Sequence, residues 1–320
     1  MKIYKNLADG NGYRTLTSFL ESMIPSFVGL TQISLSEHLT KEVGIDDKLL
    51  TEVVSAATKF NYGQLPDTIH AFVGAVALIG FDKRLWAVEG GNSGVSECAL
   101  SKSGAELVRR EVKGIAKIKG QWKLDDIAEM FDAVIIASPM TEDKSQLRIK
   151  NTSIPVNVPG SYHRTVCTMV RGELNTSGPG LSQTDFFTSH YIYLSSTFPV
   201  WSVETMTPVD YSEADTDLPS VHRLFSHQPL SEDILLLLFR SIDEILETDW
   251  LAYPHYQPGA ALGSFTLDPG LYYINTVEAA ASAMEMSVLG ARNVVNLVKT
   301  DFPDYANVMS SQTESNKTEL

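Results

Sequence analysis

Near its carboxyl end the chain contains a short apolar segment that leads into a run of very small residues. Leu271–Asn275 is typical of a short buried strand, and residues 276–278 turn the chain. The sequence then predicts a helix from Ala279 to about Val298, in which five of the first six residues have almost no side chain. A large group can approach the backbone N–H groups of such a helix, which favour partial negative charge. Alternatively, the small residues allow tight helix packing, and Ala is the best helix former.

The length and composition are those of a globular protein. The chain has 320 residues, of which 43% are hydrophobic and 20% are charged, so it can form one large or two ordinary domains. The net charge of −14 argues against nucleic acid or an anionic membrane surface as the main partner. No apolar stretch reaches the ~20 residues of a transmembrane helix. No signal-peptide pattern follows Met1.

Two helices away from the carboxyl end have clear boundary signals. Asp46 or Asp47 caps a helix that Gly63 ends. A second helix is predicted after Ser231 and extends to about Leu246. Because its first turns are apolar nearly all round, we expect it to be buried.

The middle of the chain reads as β-structure. Three short runs at 106–112, 115–118 and 121–124 are separated by Lys-Gly pairs, which predicts an antiparallel meander. Phe131–Ala137 follows as a continuous apolar run, typical of a strand buried on both faces in a parallel sheet. Helices and strands together predict a mixed α/β (α+β) fold.

A double glycine, Gly90-Gly91, precedes the meander. Backbone can approach a planar ring or a diphosphate only where side chains are absent, so this pair is compatible with a contact to a large ligand but does not by itself specify one. The two cysteines, Cys98 and Cys167, allow at most one disulfide and match no metal-binding spacing. We expect both to be buried thiols, and we expect no metal site.

Several longer motifs together resemble one protein family. They occur in the family's order over most of the chain, and the family is prenylcysteine oxidase, also called prenylcysteine lyase. The motifs that carry the resemblance are Asn61–Gln64, Leu85–Asn92, Gly172–Ser177, Trp250–Tyr256 and Leu271–Ser287.

The resemblance implies a flavoprotein that oxidises a thioether. Such an enzyme uses FAD to remove a hydride from the prenyl carbon bonded to sulfur in farnesylcysteine or geranylgeranylcysteine. Water then adds, and the products are a prenyl aldehyde, free cysteine and hydrogen peroxide. The implied fold is the two-domain α/β fold of FAD-dependent amine oxidases, in which the small-residue helix meets the flavin ring.

The resemblance also implies site residues. The cofactor-binding residues are expected to be Gly90, Gly91, Asn92, Ala137, Glu278, Ala279, Ala280 and Ser282. The catalytic candidates are His255 and Glu278. The alternative for His255 is a packed histidine that donates to a backbone carbonyl. The alternative for Glu278 is a helix N-terminal carboxylate offset by the dipole.

The chain departs from the family pattern in two places. The Gly-x-Gly-x-x-Gly fingerprint of a dinucleotide site is absent, so the chain resembles a copy without the first βαβ unit and signal peptide. Residues 93–96 are rich in Ser and Gly where a helix that supports the flavin is expected. The expected units are therefore 1–84 (helical part of the substrate domain), 85–145 (FAD-contacting segment, meander and return strand), 146–262 (substrate domain), 263–300 (strand and helix of an incomplete FAD domain) and 301–320 (disordered tail).

Three functional alternatives remain open from the sequence. The first is an active prenylcysteine oxidase. The second is a catalytically inactive truncated form that binds prenyl groups or a partner without FAD. The third is a flavin amine oxidase with another substrate. The apolar stretch Ile69–Phe81 is either ordinary core or the lining of a prenyl tunnel.

The resemblance further implies a glycoprotein of the lysosome or secretory pathway. Sequons begin at Asn151, Asn175 and Asn316.

Overall fold

A computed structural model describes residues 2–79, 87–125, 127–175, 190–192, 198–207 and 220–304. These residues form a mixed α/β structure, which confirms the predicted class. The helices are α1 (Lys2–Ala8), α2 (Leu16–Met23), α3 (Phe27–Leu30), α4 (Leu35–Glu37), α5 (Asp47–Leu49), α6 (Ser55–Tyr62), α7 (Ala71–Leu78), α8 (Ser93–Ser103), α9 (Glu232–Leu238) and α10 (Met284–Asp301). The strands are β1 (Gly114–Ile118), β2 (Gln121–Leu124), β3 (Met130–Phe131), β4 (Val134–Ile136), β5 (Arg148–Lys150), β6 (Tyr162–Leu174), β7 (His190–Ile192), β8 (Val200–Met206), β9 (Val221–Ser226), β10 (Phe239–Pro254), β11 (Thr266–Asp268) and β12 (Leu271–Tyr273).

Parts of several sequence motifs lie outside the described residues. These parts are Phe81, Leu85, Trp86, Thr176, Ser177, Asn316 and the predicted tail from 305 onward.

The predicted helix after Asp46 is confirmed. The Asp46 side chain accepts a hydrogen bond from the Leu49 N–H at 2.8 Å, and Gly63 ends α6 with a φ of 62°. The segment Leu50–Val54, between α5 and α6, has π-helical hydrogen bonding, so the helical path is continuous but not uniform.

The last helix begins at Met284 and not at Ala279, so the predicted start is wrong. Ile274–Ala279 forms a 3-10 helix directly after β12, and Ala283 is extended. The Ser282 N–H donates to the Tyr256 hydroxyl at 2.7 Å. This tertiary hydrogen bond takes a donor that an α-helix would use, and it overrides the helix propensity of the alanines.

Two buried asparagines of α10 hold the beginning of the chain. Asn293 bonds both the N–H and the carbonyl of Tyr13, at 2.7 and 2.8 Å. Asn296 donates to the carbonyls of Leu7 and Asn11 at 2.9 and 2.8 Å. Backbone polar groups inside a protein need hydrogen-bond partners. Those of residues 7–13 find their partners up to 289 residues later in the sequence.

A three-stranded sheet in the order β11-β12-β4 contains both strands that the sequence singled out. β12 is fully buried and pairs in parallel with β4, as the apolar patterns predict. Burial of β4 on both faces is wrong, because Ile135 is 43% exposed while its neighbour Ile136 is buried. The two faces of β4 differ because Ile136 packs in a core cluster with Leu271 and Tyr273, whereas Ile135 lines an open groove.

The predicted meander is partly confirmed. β1 and β2 form the antiparallel hairpin, and its turn is made by Lys119 and Gly120, both with positive φ. The third strand is β3, and the run 106–112 is not a strand. Gly114 begins β1 and does not lie in a turn, because β1 pairs in parallel with β5 on its other side.

The largest sheet has the order β10-β6-β9-β8-β7 and is antiparallel throughout. The helix predicted from Ser231 to Leu246 ends at Leu238, and β10 begins at the next residue. Pairing of β10 with β6 over almost its full length outweighs the helical pattern of the sequence. Leu235 and Leu238 pack on the sheet, whereas Leu236 is 60% exposed, so the expectation of an all-round buried helix is wrong.

One hydrophobic core joins the first helices to the last ones. Its members come from α1, α2, α7, β12 and α10, and its fully buried side chains include Leu16, Phe19, Leu20, Ile69, Val73, Phe265, Tyr272 and Val294. The described part of the apolar stretch from Ile69 thus contributes to core packing. None of the described helices is long and apolar enough to cross a membrane.

The two cysteines are free thiols in this structure. Cys167 is half-buried, but Cys98 is exposed on α8, so the prediction of a buried thiol is wrong at Cys98. The physical reason is that α8 has no buried residue.

Gly172 lies where β6 meets an irregular stretch of β10, and it should not tolerate a side chain. A Cβ at Gly172 would lie 2.2 Å from the Ser241 carbonyl oxygen, which is backbone and cannot rotate away. We expect Gly172→Ala to lower the free energy of unfolding by about 2–4 kcal/mol. Denaturant titration measures this change.

Gly29→Ala is the matched control for that substitution. No atom lies within 4 Å of a Cβ at Gly29, which belongs to α3. We expect this control to change stability by less than about 1 kcal/mol. Equal stability of Gly172→Ala and the wild type would contradict the close approach of β10.

Candidate active site

A small cleft lies where the start of β6, the segment after β10 and the 3-10 helix after β12 meet. Its volume is about 100 Å³. Ala279 is one of three alanines in its lining, which also includes five side chains with titratable groups: His70, Tyr162, His255, Tyr273 and Glu278. The cleft therefore brings together three of the residues that the sequence proposed, namely His255, Glu278 and Ala279.

Tyr162 and Glu278 form the polar centre of the cleft. The Tyr162 hydroxyl donates a hydrogen bond to Oε2 of Glu278. The Tyr162 N–H donates to Asp143 at 2.6 Å, which fixes the start of β6. Burial and the neighbouring Glu278 carboxylate both raise the pKa of Tyr162. The phenol thus stays protonated and remains a donor.

A buried network beside the cleft connects two of the sequence motifs to the small-residue segment. Gln64 bonds both the N–H and the carbonyl of Tyr256, at 2.8 and 2.9 Å. The Tyr256 hydroxyl accepts from the Ser282 N–H, and the Tyr62 hydroxyl donates to the Ser282 carbonyl at 3.1 Å. Burial raises the pKa of both tyrosines, so both hydroxyls keep their protons.

His70 anchors the same segment from the other side. It caps α7 by accepting the Val73 N–H at Nδ1, 3.2 Å away, so its proton is on Nε2 and points toward the Ala279 carbonyl at 3.3 Å. Burial lowers the pKa of His70 to about 4, against the favourable bond to Ala279. His70 is therefore neutral at pH 7. Its one signal in the sequence is that it is a polar residue within an apolar stretch.

His255 is exposed at the mouth of the cleft. Its backbone N–H donates to the Ser161 carbonyl at 2.8 Å, and its ring is stacked near His163 with the ring centres 6.1 Å apart. Ala280 is fully buried in the core, and the N–H and carbonyl of Ser282 are both bonded to tyrosines. Of the predicted small-residue contacts, Ala279 is the one that lines the cleft.

The remaining predicted cofactor residues lie away from the cleft. Gly90 and Gly91 form a turn with φ values of 77° and 99°, and a Cβ at either would meet no atom within 4 Å. Asn92 follows them and is exposed. The doubt about a supporting helix after this turn is corrected, because α8 begins at Ser93 despite the Ser and Gly residues.

Ala137 lies in a separate, larger groove. It is exposed just beyond the carboxyl end of β4, and the groove has a volume of about 750 Å³. Carboxyl ends of parallel strands are the usual edge for ligands in α/β sheets. Among the described residues, His, Cys, Asp and Glu form no group arranged to hold a metal ion.

Comparison with known proteins identifies the family. The prenylcysteine lyase family matches residues 1–312. The chain belongs to the prenylcysteine lyase family. It is 32% identical over 319 residues to prenylcysteine oxidase 1 of Homo sapiens, and 31% identical over 316 residues to prenylcysteine oxidase 1-like of Bos taurus. Each alignment covers 93% of this chain but 63% and 64% of the relative, so the chain spans less than two thirds of their length.

Solved structures with a similar fold are amine oxidases. Cyclohexylamine oxidase from Brevibacterium oxydans aligns with a TM-score of 0.55 at 14% identity, over 93% of this chain and 73% of that one. A putrescine oxidase redesigned in cofactor binding aligns with a TM-score of 0.56 at 12% identity, over 92% and 73%. At such low identity these likenesses define the fold alone, and they confirm the amine-oxidase-like architecture predicted from the sequence.

The Tyr256 network joins three of the motifs that carry the family resemblance. The motifs Asn61–Gln64 and Trp250–Tyr256, far apart in the sequence, meet on the third motif at Ser282. Tyr162, by contrast, belongs to none of the motifs. Its only sequence signal is its position at the start of a strand after Pro159-Gly160, which does not distinguish it from other strand tyrosines.

The neutral state of His70 predicts a pH dependence of stability. Because its pKa in the folded state, about 4, lies below the ordinary value of 6.5, the unfolded chain binds more protons between these values. The contribution of neutral His70 to the free energy of unfolding is complete above pH 6.5 and is lost as the pH falls toward 4. His70→Asn keeps a cap for α7 but removes the titration. We expect the variant to have a lower free energy of unfolding than the wild type at pH 7. This difference in free energy should narrow by up to about 1.4 kcal/mol for each unit by which the pH falls.

Denaturant titrations of the two proteins from pH 7.5 to 4.5 measure that gap. A constant gap over this range would contradict a neutral, buried His70.

Proposed function

We propose that this chain is an FAD-dependent oxidase of S-prenylcysteine. The products are a prenyl aldehyde, free cysteine and hydrogen peroxide. The observation that carries the proposal is the convergence of family motifs on the segment Ala279–Ser282, beside a cleft that contains Glu278 and His255. A cleft with convergent polar and titratable groups is the usual place for a functional site.

The residues proposed for the cofactor fit a large ligand with a flat ring and a diphosphate. Gly90 and Gly91 have positive φ and open space where side chains would be, so their backbone can be approached closely. The groove beside Ala137 is open and about 750 Å³ in volume, which is enough for a nucleotide. The residues that would hold FAD are therefore Gly90, Gly91, Asn92 and Ala137, with Ala279 toward the cleft.

FAD, when bound, supplies the acceptor for the hydride and passes the electrons to oxygen. The chain has a different task. Tyr162 and Glu278 hold a polar group at a fixed place, and the neutral tyrosines around Ser282 keep the adjacent backbone rigid without adding charge. Such positioning of the reacting carbon is the usual contribution of the protein to a cofactor reaction.

A second part of the proposal concerns where in the cell the protein is located. We propose that the protein is a glycoprotein of the lysosome or secretory pathway, on the support of family membership and the sequons. Asn151 follows β5 and is exposed, and its Nδ2 donates to the Lys117 carbonyl at 3.1 Å, a hydrogen bond that a glycan on this nitrogen would have to replace. A mobility shift on enzymatic deglycosylation, together with fractionation of lysosomes, tests this.

Activity is tested with the purified full chain. We expect a visible flavin absorbance band and release of hydrogen peroxide on addition of farnesylcysteine. Putrescine and cyclohexylamine are the comparison substrates, because the similar folds are amine oxidases. If the protein contains flavin but releases peroxide only with the amines, the proposed prenylcysteine substrate is wrong and an amine is the substrate. Farnesylcysteine binding without flavin would support the inactive, prenyl-binding form.

Ala137→Phe tests the cofactor groove itself. The residue is exposed, so a larger side chain should leave the fold intact while it fills part of the groove. We expect the flavin content of the purified protein to fall at least tenfold, with an unchanged melting temperature of the cofactor-free chain. Ala8→Phe, at an exposed position of α1, is the control. If Ala137→Phe retains its full flavin content, Ala137 does not belong to the FAD site.

A further inference from the structure

Three histidines form a cluster beside the mouth of the cleft. The ring of His163, at the start of β6, is stacked near that of His255 with centres 6.1 Å apart, and the His227 ring lies edge-on at 5.3 Å. Trp201 of β8 completes the cluster, 4.6 Å from the His227 ring and 5.8 Å from the His163 ring. Segments that are far apart in the sequence therefore meet at His163.

The buried nitrogen of His163 packs against the end of α6. A Cβ at Gly63 would lie 2.5 Å from Nε2 of His163, and Nε2 has no hydrogen-bond partner in the described part of the chain. A neutral ring with its proton on Nδ1 places only a lone pair against Gly63. A protonated ring would place an N–H there, and a buried donor without a partner costs about 1–3 kcal/mol, or more when it is charged. The packing therefore fits the neutral ring.

The cationic groups around the cluster also oppose a proton on His163. Burial, His227 and His255 together lower the pKa of His163 to about 4. Burial and Lys59 of α6 lower the pKa of His227 in the same way. A proton on any member of the cluster thus disfavours a proton on the next.

Neutral tyrosines lie on the other side of His163. The Tyr253 ring is stacked on the His163 ring with centres 5.5 Å apart, and Tyr62 of α6 packs edge-on against Tyr253. Burial raises the pKa of both phenols, to about 12 for Tyr253. Neither tyrosine supplies a negative charge at neutral or acidic pH.

Two carboxylates of the same region have partners of their own. Asp249 pairs with Arg164 at 2.6 Å. Glu278 lines the cleft together with His255, but it accepts a hydrogen bond from the Tyr162 hydroxyl. Among the described residues neither carboxylate forms an ion pair with a histidine of the cluster. Positive charge that acid adds to the cluster is therefore not balanced by an ion pair.

We propose that the histidine cluster holds the mouth of the cleft closed at neutral pH and opens it when acid protonates His163. The protonated ring leaves Gly63, and the end of α6 separates from the end of β10. His255 lines the cleft, and Gln64, the residue after Gly63, holds Tyr256. The separation therefore widens the cleft. This control of access does not depend on which molecule enters.

Hydrogen exchange of the full-length chain, followed by mass spectrometry, measures the opening. Peptides that contain residues 61–64 and 253–256 are compared between pH 7.5 and pH 5, at each pH against the variant His163→Asn, so that the intrinsic exchange rate cancels. Neutral His163 favours the closed form fully above pH 6.5 and progressively less toward pH 4. We therefore expect the protection of these wild-type peptides to be about 10- to 30-fold lower at pH 5.

The variants separate this titration from other effects of acid. His163→Asn keeps a polar group at the Nδ1 position but does not titrate, so its protection should change less than about threefold. His227→Gln, at an exposed position, removes one neighbouring charge and should give an intermediate change. His38→Gln is the matched control, because His38 pairs with Glu42 in the segment His38–Val43 and should follow the wild type. All of these chains retain His70, so its titration contributes equally to each.

Melting temperatures at pH 7.5 confirm that each variant is folded. An equal pH dependence in the wild type and His163→Asn, or constant protection of the wild type down to pH 5, overturns the proposal. A loss of protection that extends equally to α10 shows global unfolding in acid and overturns it as well. If His163→Asn does not fold, His227→Gln decides, and a change as large as that of the wild type overturns the proposal.

Discussion

The reciprocal hydrogen bond between Gln64 and Tyr256 is the contact on which the rest of the site depends. Both residues are almost completely buried, and the amide satisfies the N–H and the carbonyl of Tyr256 at once. With its backbone fixed, Tyr256 presents its hydroxyl to Ser282 and so sets where the last helix begins. A network of this kind is stable only when every member is satisfied, which makes it intolerant of partial change.

Neutrality of the surrounding polar groups gives the cleft its electrostatic character. Burial keeps the phenols of Tyr62 and Tyr256 protonated and His70 uncharged. None of these groups can balance Glu278, so its charge acts on whatever enters the cleft.

Local signals in the sequence predicted local structure well. The cap at Asp46 and the hairpin with its turn at Lys119 and Gly120 are in place, because each depends on a few neighbouring residues. The apolar run of β12 likewise predicts a short buried strand, although its parallel partner β4 lies far away in the sequence. The predictions that fail are those decided by distant partners. Ala279–Ala283 is not helical because of Tyr256, and the helix after Ser231 is cut short by pairing with β6. Tyr162 and His70 likewise belong to the site through contacts with residues distant in sequence, which their sequence neighbours do not predict.

The asparagines of α10 have a consequence for how the chain is made. Asn293 and Asn296 bond backbone groups of residues 7–13, so this segment acquires these partners only after α10, 280 to 289 residues later in the sequence, has been synthesised. Contacts this far apart in sequence form slowly, since a long loop must close before they are rewarded. Because α1, α2 and α10 share one hydrophobic core, that core stays incomplete until α10 has been made.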